Sequence, residues 1–303
     1  HDEHKMKILI LSRSAQLYST QRLFNAGKER GHDMSIVDHT CCSLVMQKGE
    51  LEVYHKGEQL KEVDAIIPRI GSSVTFQGAS IIQQFELMKV FTVARSYALL
   101  QARDKLRCLQ KLASYGLDIP TTFYLNSSDN LEDIYPHVGG FPLIIKLTES
   151  THGTGVYLAE SLYKGKKIIE SLLHIKERVL IQEYIKESSG TDLRVLVVAG
   201  KVVAAMERKS ASGDFRSNLH RGGTSNVIKL SKSEIELAVR AAQIMGLDVA
   251  GVDVLRSERG PLVLEVNASP GLEGIEKTTN VDVAGKVIEL IERKCSYPSQ
   301  ITF

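Results

Sequence analysis

The chain has 303 residues, of which 43% are hydrophobic and 24% charged, and its formal net charge is +2. This length exceeds one ordinary hydrophobic core, so we expect two or three domains. The near-neutral charge gives no support to a protein that coats nucleic acid, and no apolar run approaches a membrane span. Neither nucleic acid nor a membrane is therefore expected as a direct partner.

The four cysteines predict a reduced, cytoplasmic protein. Adjacent Cys41 and Cys42 make a poor disulfide pair, and no two of the four cysteines have the spacing of zinc ligands. None of them lies in a motif that marks a nucleophile.

The first part of the chain, residues 6–95, is predicted to be a small three-layer α/β domain. Its expected elements are a strand at residues 7–12, a helix at 18–31, and strands at 34–37 and 64–68. No G-x-G-x-x-G motif follows the first strand, so a dinucleotide fingerprint is absent. Arg69 follows the last strand at the edge where open α/β sheets bind ligands, which makes it a candidate for binding a substrate carboxylate. An exposed arginine without such a role is the alternative.

The second part, residues 104–186, is predicted to be a βαβ-like block. Its expected elements are helices at residues 103–116, 127–137 and 162–174 and strands at 121–125, 142–147 and 179–184. Lys105 lies in the first helical turn, where the helix dipole does not stabilise a cation. Lys105 is therefore either positioned to bind an anionic ligand or simply exposed. Lys146 interrupts an apolar strand, and a charge buried there needs an anionic partner. The segment TESTHGTGV follows directly, and its backbone N–H groups suit a phosphate, although a flexible hairpin tip is the alternative.

The third part, residues 187–295, contains a long basic loop. Its expected elements are strands at residues 192–199 and 201–208, a capped helix at 231–245, a hairpin at 249–266 and a helix at 283–294. The loop is rich in cations, namely Arg208, Lys209, Arg216, His220 and Arg221. This charge suits a triphosphate. An RNA-binding loop is the alternative, but only Phe215 offers a stacking surface.

Three oxygen-bearing side chains lie in the hairpin at residues 249–266. Because side chains alternate along a strand, Glu265 and Asn267 share a face, and a five-residue loop over residues 257–261 puts Asp253 opposite Glu265. Buried carboxylates repel each other, so something positive is expected between them. Carboxylate and amide oxygens are the ligands of hard cations such as Mg²⁺ or Mn²⁺. A solvated strand face with incidental acids is the alternative.

The order of these motifs resembles the ATP-grasp superfamily of carboxylate–amine ligases, and the RimK family within it more closely. The runs that carry the resemblance are QARDKL, VLIQEYIKE, GDFRSNLHRGG, VAGVDVLR and LEVNASPGLEGIEKTT. The similarity extends over essentially the whole chain from Met6. It implies a mixed α/β and α+β protein, in which an ATP-grasp fold follows a small Rossmann-like pre-ATP-grasp domain. Residues 104–186 would form the central subdomain and residues 187–295 the subdomain with the metal site.

The resemblance also implies roles for individual residues. ATP phosphates would be held by Lys105 and Lys146, the adenine and hinge by Glu183 and Tyr184, and the nucleotide further by Asp192, Arg216, Ser217 and Asn218. Two Mg²⁺ or Mn²⁺ ions would be held by Asp253, Glu265 and Asn267. In related ligases an arginine lies two residues before the metal-binding aspartate, whereas Gly251 occupies that position here. Arg208 is the candidate to supply the missing charge.

The activity implied by the resemblance is an ATP-dependent ligation of L-glutamate. RimK enzymes add glutamate to the C-terminus of protein six of the small ribosomal subunit and can also make poly-glutamate. Ligases of this superfamily are often homo-oligomers. One alternative is the same chemistry on a deazaflavin or pterin cofactor, or on a carrier protein. The alternative from another class is a regulatory ATP-binding module without catalysis.

Overall fold

A computed structural model describes residues 5–149, 155–211, 214–216 and 222–296. The N-terminal elements are β1 (Lys7–Leu11), α1 (Tyr18–Glu29), β2 (Asp33–Val37), β3 (Cys42–Gln47), β4 (Glu50–His55), β5 (Glu58–Gln59), β6 (Ala65–Pro68), α2 (Thr75–Leu87), β7 (Phe91–Thr92) and α3 (Ser96–Arg103). A parallel sheet with the order β2-β1-β6-β7 forms the middle layer. The carboxyl ends of β1 and β6 therefore lie at one edge, which brings Arg69 to that edge.

A separate sheet with the order β3-β4-β5 lies beside α2 and was not predicted. The side chain of Gln84 on α2 donates hydrogen bonds to the carbonyl oxygens of Val45 (3.0 Å) and Glu52 (3.2 Å). These two hydrogen bonds attach the three-stranded β3-β4-β5 sheet to α2. Polar residues flank the apolar ones in β3 and β4, and Val53 is the one fully buried residue of these two strands, so they differ from the buried apolar runs from which the other strands were predicted.

The middle elements are α4 (Lys105–Ser114), β8 (Thr122–Leu125), α5 (Leu131–Ile134), β9 (Leu143–Leu147), β10 (Val156–Ala159), α6 (Leu162–His174) and β11 (Val179–Glu183). Their sheet has the order β10-β9-β11-β8, and every pairing is antiparallel. The prediction of a βαβ-like block is therefore wrong, since that unit requires parallel strands. The predicted helix at residues 103–116 is interrupted as well. Asp104 is extended (φ −94°, ψ 104°) and caps α4 by accepting from the backbone N–H of Leu106 and Arg107.

The C-terminal elements are β12 (Thr191–Val198), β13 (Lys201–Lys209), β14 (Thr224–Val227), α7 (Lys232–Ile244), β15 (Val249–Ser257), β16 (Gly260–Asn267), α8 (Glu273–Thr279) and α9 (Val283–Ser296). The sheet has the order β14-β13-β12-β15-β16. Ser231 and Glu234 form the expected capping box of α7. Helix α8 was predicted as loop, because its polar sequence EGIEKTT has no marked apolar period. The three domain boundaries given above remain a prediction.

The alternation of side chains sets one polar face on each of the two large antiparallel sheets. In β12, Leu193, Val195 and Val197 belong to a hydrophobic core that also contains residues of α7, so Asp192 and Arg194 lie on the opposite face. In β9, residues 143 and 145 pack under α6 and residue 147 packs at the edge of that core, so Lys146 lies on the other face. Across the described residues, no helix is long and apolar enough to cross a membrane.

Candidate active site

The hairpin of β15 and β16 places Asp253 directly opposite Glu265, as predicted. The register that pairs these two residues arises differently from the expectation, because a two-residue turn replaces the predicted five-residue loop. Ser257 pairs with Gly260 across that turn, and a bulge between Asp253 and Val254 shifts the pairing by one residue. Without this bulge, Leu264 would face Asp253 and the side chain of Glu265 would turn to the opposite face of the sheet.

Two arginines bind the Asp253 carboxylate. Arg194 lies opposite Asp253 on β12, and its Nε and Nη2 donate to Oδ1 at 2.5 Å and Oδ2 at 3.1 Å. Arg208 Nη2 lies 3.2 Å from Asp253 Oδ1. Burial opposes ionisation of Asp253, but the two guanidinium groups outweigh it and hold the pKa of this carboxyl below its ordinary value. The positive charge that the sequence pattern assigned to a metal is thus supplied here by arginine.

Arg208 also binds Asp192, which lies opposite it in the pairing of β12 with β13. Its Nε and Nη2 donate to the two carboxylate oxygens at 2.8 Å and 2.6 Å. The neighbouring acids raise the pKa of Arg208 against the effect of its burial, whereas burial raises the pKa of Asp192. Arg208 therefore joins two buried acids at the centre of the polar face. Both carboxylate oxygens of Asp192 accept hydrogen bonds from Arg208. The contact of Asp192 with the nucleotide stays a prediction.

Glu265 and Asn267 offer oxygens that could bind a cation. Within the described part of the chain, Glu265 makes a single ion pair, with Lys105 Nζ at 3.9 Å from its Oε1. Asn267 donates through Nδ2 to Gly251 O (3.3 Å) and Asp253 Oδ2 (3.5 Å), which leaves its Oδ1 as an acceptor. No set of three acidic, histidine or cysteine side chains there is arranged to hold a metal. The candidate ligand set is therefore two carboxylates and one amide, which suits a hard cation if Arg208 or Arg194 releases an Asp253 oxygen.

Lys146 and Lys105 face the two candidate metal-binding acids. Lys146 is 7% exposed, and no described residue forms a hydrogen bond or an ion pair with its ammonium group. Burial and the charge of Lys105 lower the pKa of Lys146 to about 8, while Glu265 and Asp253 act in the opposite direction. Lys105 begins α4, where its backbone N–H donates to the carbonyl of Thr148 at 2.8 Å. Two lysines close enough to repel each other in a buried site favour a polyanionic ligand such as a nucleotide phosphate.

The residues predicted to bind the nucleoside lie at the end of β11 and in the basic loop. Glu183 accepts from the backbone N–H of Thr121 at 2.9 Å and forms an ion pair with Arg259. The ring of Tyr184 meets Phe215 edge-on, with centroids 6.4 Å apart. Arg216 stacks over Phe215 and bonds to Asp214 (3.2 Å). Ser217 and Asn218, also predicted here, lie outside the described residues.

Arg194 was missed in the sequence, and its side chain lies beside Gly251 of the adjacent strand. A Cβ atom on Gly251 would lie 3.4 Å from both Cδ and Nη1 of Arg194 and 2.8 Å from Pro270 Cβ. The contact that excludes a side chain at residue 251 is therefore the one with Pro270, whereas the distances to Arg194 are those of ordinary van der Waals contact. The signal was present in the sequence, because Asp192 and Arg194 are two apart in an otherwise apolar run and must share a face.

The lowered pKa of Lys146 predicts a pH dependence of nucleotide affinity. Its ordinary pKa of 10.5 falls to about 8 in the folded chain. Above pH 8, ATP binding must therefore return a proton to Lys146, and the Kd for ATP should rise by up to about tenfold per pH unit. Titration calorimetry without divalent cations, in two buffers of different ionisation enthalpy, measures this proton uptake. Lys146→Met should bind weakly without taking up a proton, and a flat wild-type profile from pH 7 to 9.5 would contradict the assignment.

Comparison with known proteins identifies the family. The RimK-like ATP-grasp domain model matches residues 102–291, and the RimK pre-ATP-grasp domain model matches residues 6–99. The chain belongs to the RimK family. It is 50% identical over 288 residues to a probable alpha-L-glutamate ligase from Aliivibrio fischeri, covering 95% of this chain and 96% of the relative. A probable alpha-L-glutamate ligase from Citrobacter koseri is 51% identical over 288 residues, with the same coverage.

Solved structures show the same fold at low sequence identity. The ATP-grasp ligase PsnB, complexed with a minimal precursor, has a TM-score of 0.75 and 20% identity, and the match covers 96% of this chain and 99% of PsnB. A RimK domain protein from Sphaerobacter thermophilus has a TM-score of 0.72 and 18% identity, with 94% and 98% coverage. The predicted RimK resemblance, the ATP-grasp fold with its pre-ATP-grasp domain, and the ligase class of this RimK-family chain are thereby confirmed.

Proposed function

We propose that this RimK-family ligase joins L-glutamate through its amino group to the C-terminal carboxyl of a protein acceptor, with ATP as the energy source. The observation that supports this most directly is that Lys146 and Lys105 lie close enough to Asp253 and Glu265 for their charges to interact. The names of relatives about 50% identical over nearly the whole chain support glutamate as substrate. Family resemblance supports the C-terminal tail of a small-subunit ribosomal protein, or a growing poly-glutamate tail, as the acceptor.

The first step activates the acceptor carboxylate. One carboxylate oxygen attacks the γ-phosphorus of ATP, the bond from that phosphorus to the β,γ-bridging oxygen breaks, and ADP leaves with the bond electrons. The product is an acyl phosphate. We assign the binding and neutralisation of the phosphates to Lys105 and Lys146, so that the enzyme contributes mainly position and charge. Arg208 is proposed to stabilise the transferring group, because it is held at the site by Asp192 and Asp253.

The second step forms the amide. The neutral amine of glutamate attacks the acyl carbon, the C–O bond to phosphate breaks, and inorganic phosphate leaves while the amine loses a proton. Divalent ions, proposed as two Mg²⁺ or Mn²⁺ held by Asp253, Glu265 and Asn267, would supply charge neutralisation at the phosphates. Magnesium and ADP are both present in a solved complex of PsnB, an ATP-grasp ligase with the same fold.

The proposal is tested by incubating the chain with ATP, glutamate and candidate acceptors. We expect mass increments of single glutamate residues on the ribosomal-protein tail, with one ADP released per residue added. Modification of a small cofactor or carrier protein alone would refute the acceptor. ATP binding without ADP release across all acceptors would refute catalysis and favour a regulatory module.

Cellular location and assembly complete the proposal. The cysteines Cys41, Cys42, Cys108 and Cys295 are all unpaired thiols, in keeping with a reducing cytoplasm. A homo-oligomer is proposed from the superfamily resemblance.

A further inference from the structure

Two arginines lie at the edge of the N-terminal sheet, and neither forms an ion pair with an acid among the described residues. Arg69 directly follows β6, and Arg103 ends α3. Within the described residues, no carboxylate lies within 4.0 Å of either guanidinium group. Arg103 is fixed by donating to the carbonyl of Ile70 and to Thr75 Oγ1 (2.9 Å), whereas the guanidinium of Arg69 forms no hydrogen bond with the part of the chain that the structure describes. Two cations are thus close together, and no described carboxylate forms an ion pair with either of them.

The two guanidinium groups are poorly solvated. Arg69 keeps a little solvent contact, yet burial and the charge of Arg103 lower its pKa to about 10. Burial lowers the pKa of Arg103 too, against the attraction of Glu265. A buried unpaired cation costs stability, so an arrangement of this kind favours an anionic ligand that completes it.

This arginine pair lies beside the candidate active site. Arg103 directly precedes the Asp104 cap of α4, and Glu265 is near enough to act on its charge. The hydroxyl of Ser269, two residues after Asn267, donates to the carbonyl of Pro68 at 3.4 Å. Pro68 directly precedes Arg69 in the chain. The carboxyl end of β6 therefore packs against the chain that leaves the acidic hairpin.

We propose that Arg69 and Arg103 bind the carboxylates of the glutamate that acts as the amine nucleophile. This inference depends on the proposed ligase function. Free glutamate carries two carboxylates that do not react, and two guanidinium groups match them in number and in bidentate geometry. The acceptor carboxyl, in contrast, must be phosphorylated, so it belongs with the phosphates beside Lys105 and Lys146. The partly enclosed position of the pair also suits a free amino acid better than a protein tail.

Hydroxylamine separates the two steps, because it intercepts an acyl phosphate as a hydroxamate and carries no carboxylate. For Arg69→Gln we expect the ratio of glutamate incorporation to hydroxamate formation to fall about 10- to 100-fold, mainly through a higher KM for glutamate. Arg69→Lys should fall between this variant and wild type. Arg30→Gln is the matched control, since Arg30 pairs with Glu292 at the far end of α1. The control should keep the wild-type ratio.

Thermal unfolding distinguishes a binding arginine from a structural one. Removing an unpaired buried cation should leave the Tm of Arg69→Gln equal to or above wild type, and the Tm rise caused by glutamate should disappear. An unchanged incorporation ratio, a lower Tm with the glutamate-induced rise retained, or a raised KM for the acceptor alone would overturn the proposal. If wild-type protein forms neither amide nor hydroxamate, the ligase function itself fails instead.

Discussion

Glu265→Gln is expected to reduce the turnover number by at least about 100-fold while leaving the fold intact. The amide keeps the size of the side chain but removes a charge from the proposed metal site, where electrostatic stabilisation contributes several kcal/mol. The substitution should have little effect on the stability of the fold, because the ion pair of Glu265 with Lys105 spans 3.9 Å. Steady-state ADP release with saturating ATP, glutamate and acceptor measures the effect on turnover, and thermal unfolding checks the fold.

Glu273→Gln is the control for this substitution. Glu273 is exposed on α8 and pairs with Lys277, so its loss should leave turnover within about twofold of wild type. Full activity in Glu265→Gln would refute the assignment of Glu265 to the metal site. A large loss of stability in the same variant would show instead that Glu265 serves the fold.

Asp253→Asn is expected to abolish turnover and also to lower the free energy of unfolding by about 3 kcal/mol. Removing one member of a buried ion-pair network leaves an uncompensated charge, because Arg194 would lose the carboxylate it binds and Arg208 would keep only Asp192. Urea unfolding without ligands measures this change. Since the folded-state pKa of Asp253 is lowered, its stabilisation is present above the unfolded value near pH 4 and is lost on acidification. Wild type and variant should therefore converge in stability below about pH 4.

Asp282→Asn provides the comparison for that loss. Asp282 also pairs with an arginine, Arg22, but its side chain is 65% exposed, so we expect a change within about 0.5 kcal/mol. Equal stability of Asp253→Asn and wild type at pH 7 would show that the arginines do not depend on this carboxylate.

The sequence was most informative where side-chain alternation alone decides position. Glu265 and Asn267 had to share a face, and the buried position of Lys146 followed from its apolar neighbours. The pairing of Asp253 with Glu265 was predicted correctly from an incorrect loop. A two-residue turn and a bulge are together equivalent in register to the five-residue loop, so sequence spacing could not distinguish them.

The sequence was least informative where strands distant in the chain meet. The contacts of Arg194 and Arg208 with Asp253 depend on the order of β13, β12 and β15, which local patterns do not encode. Arg208 was predicted as a source of positive charge for the transferring group, but its contacts with Asp253 and Asp192 were not predicted, and Arg194 was missed. The same limitation hid the neighbourhood of Arg69 and Arg103, which depends on how α3 packs against the end of β6. Antiparallel pairing in the middle sheet was missed for that reason too.

The cations of this cleft outnumber its acids. Among the described residues assigned to the site above, the cations are Lys105, Lys146, Arg69, Arg103, Arg194 and Arg208 and the acids are Asp192, Asp253 and Glu265, although the whole chain carries a formal charge of only +2. Such a surplus attracts anionic molecules from a distance and hastens their encounter with the protein, more strongly in dilute salt. It also retards the departure of ADP and inorganic phosphate, which are anions as well. Substrate capture and product escape are thus governed by one electrostatic field, and ionic strength shifts the two rates in opposite directions.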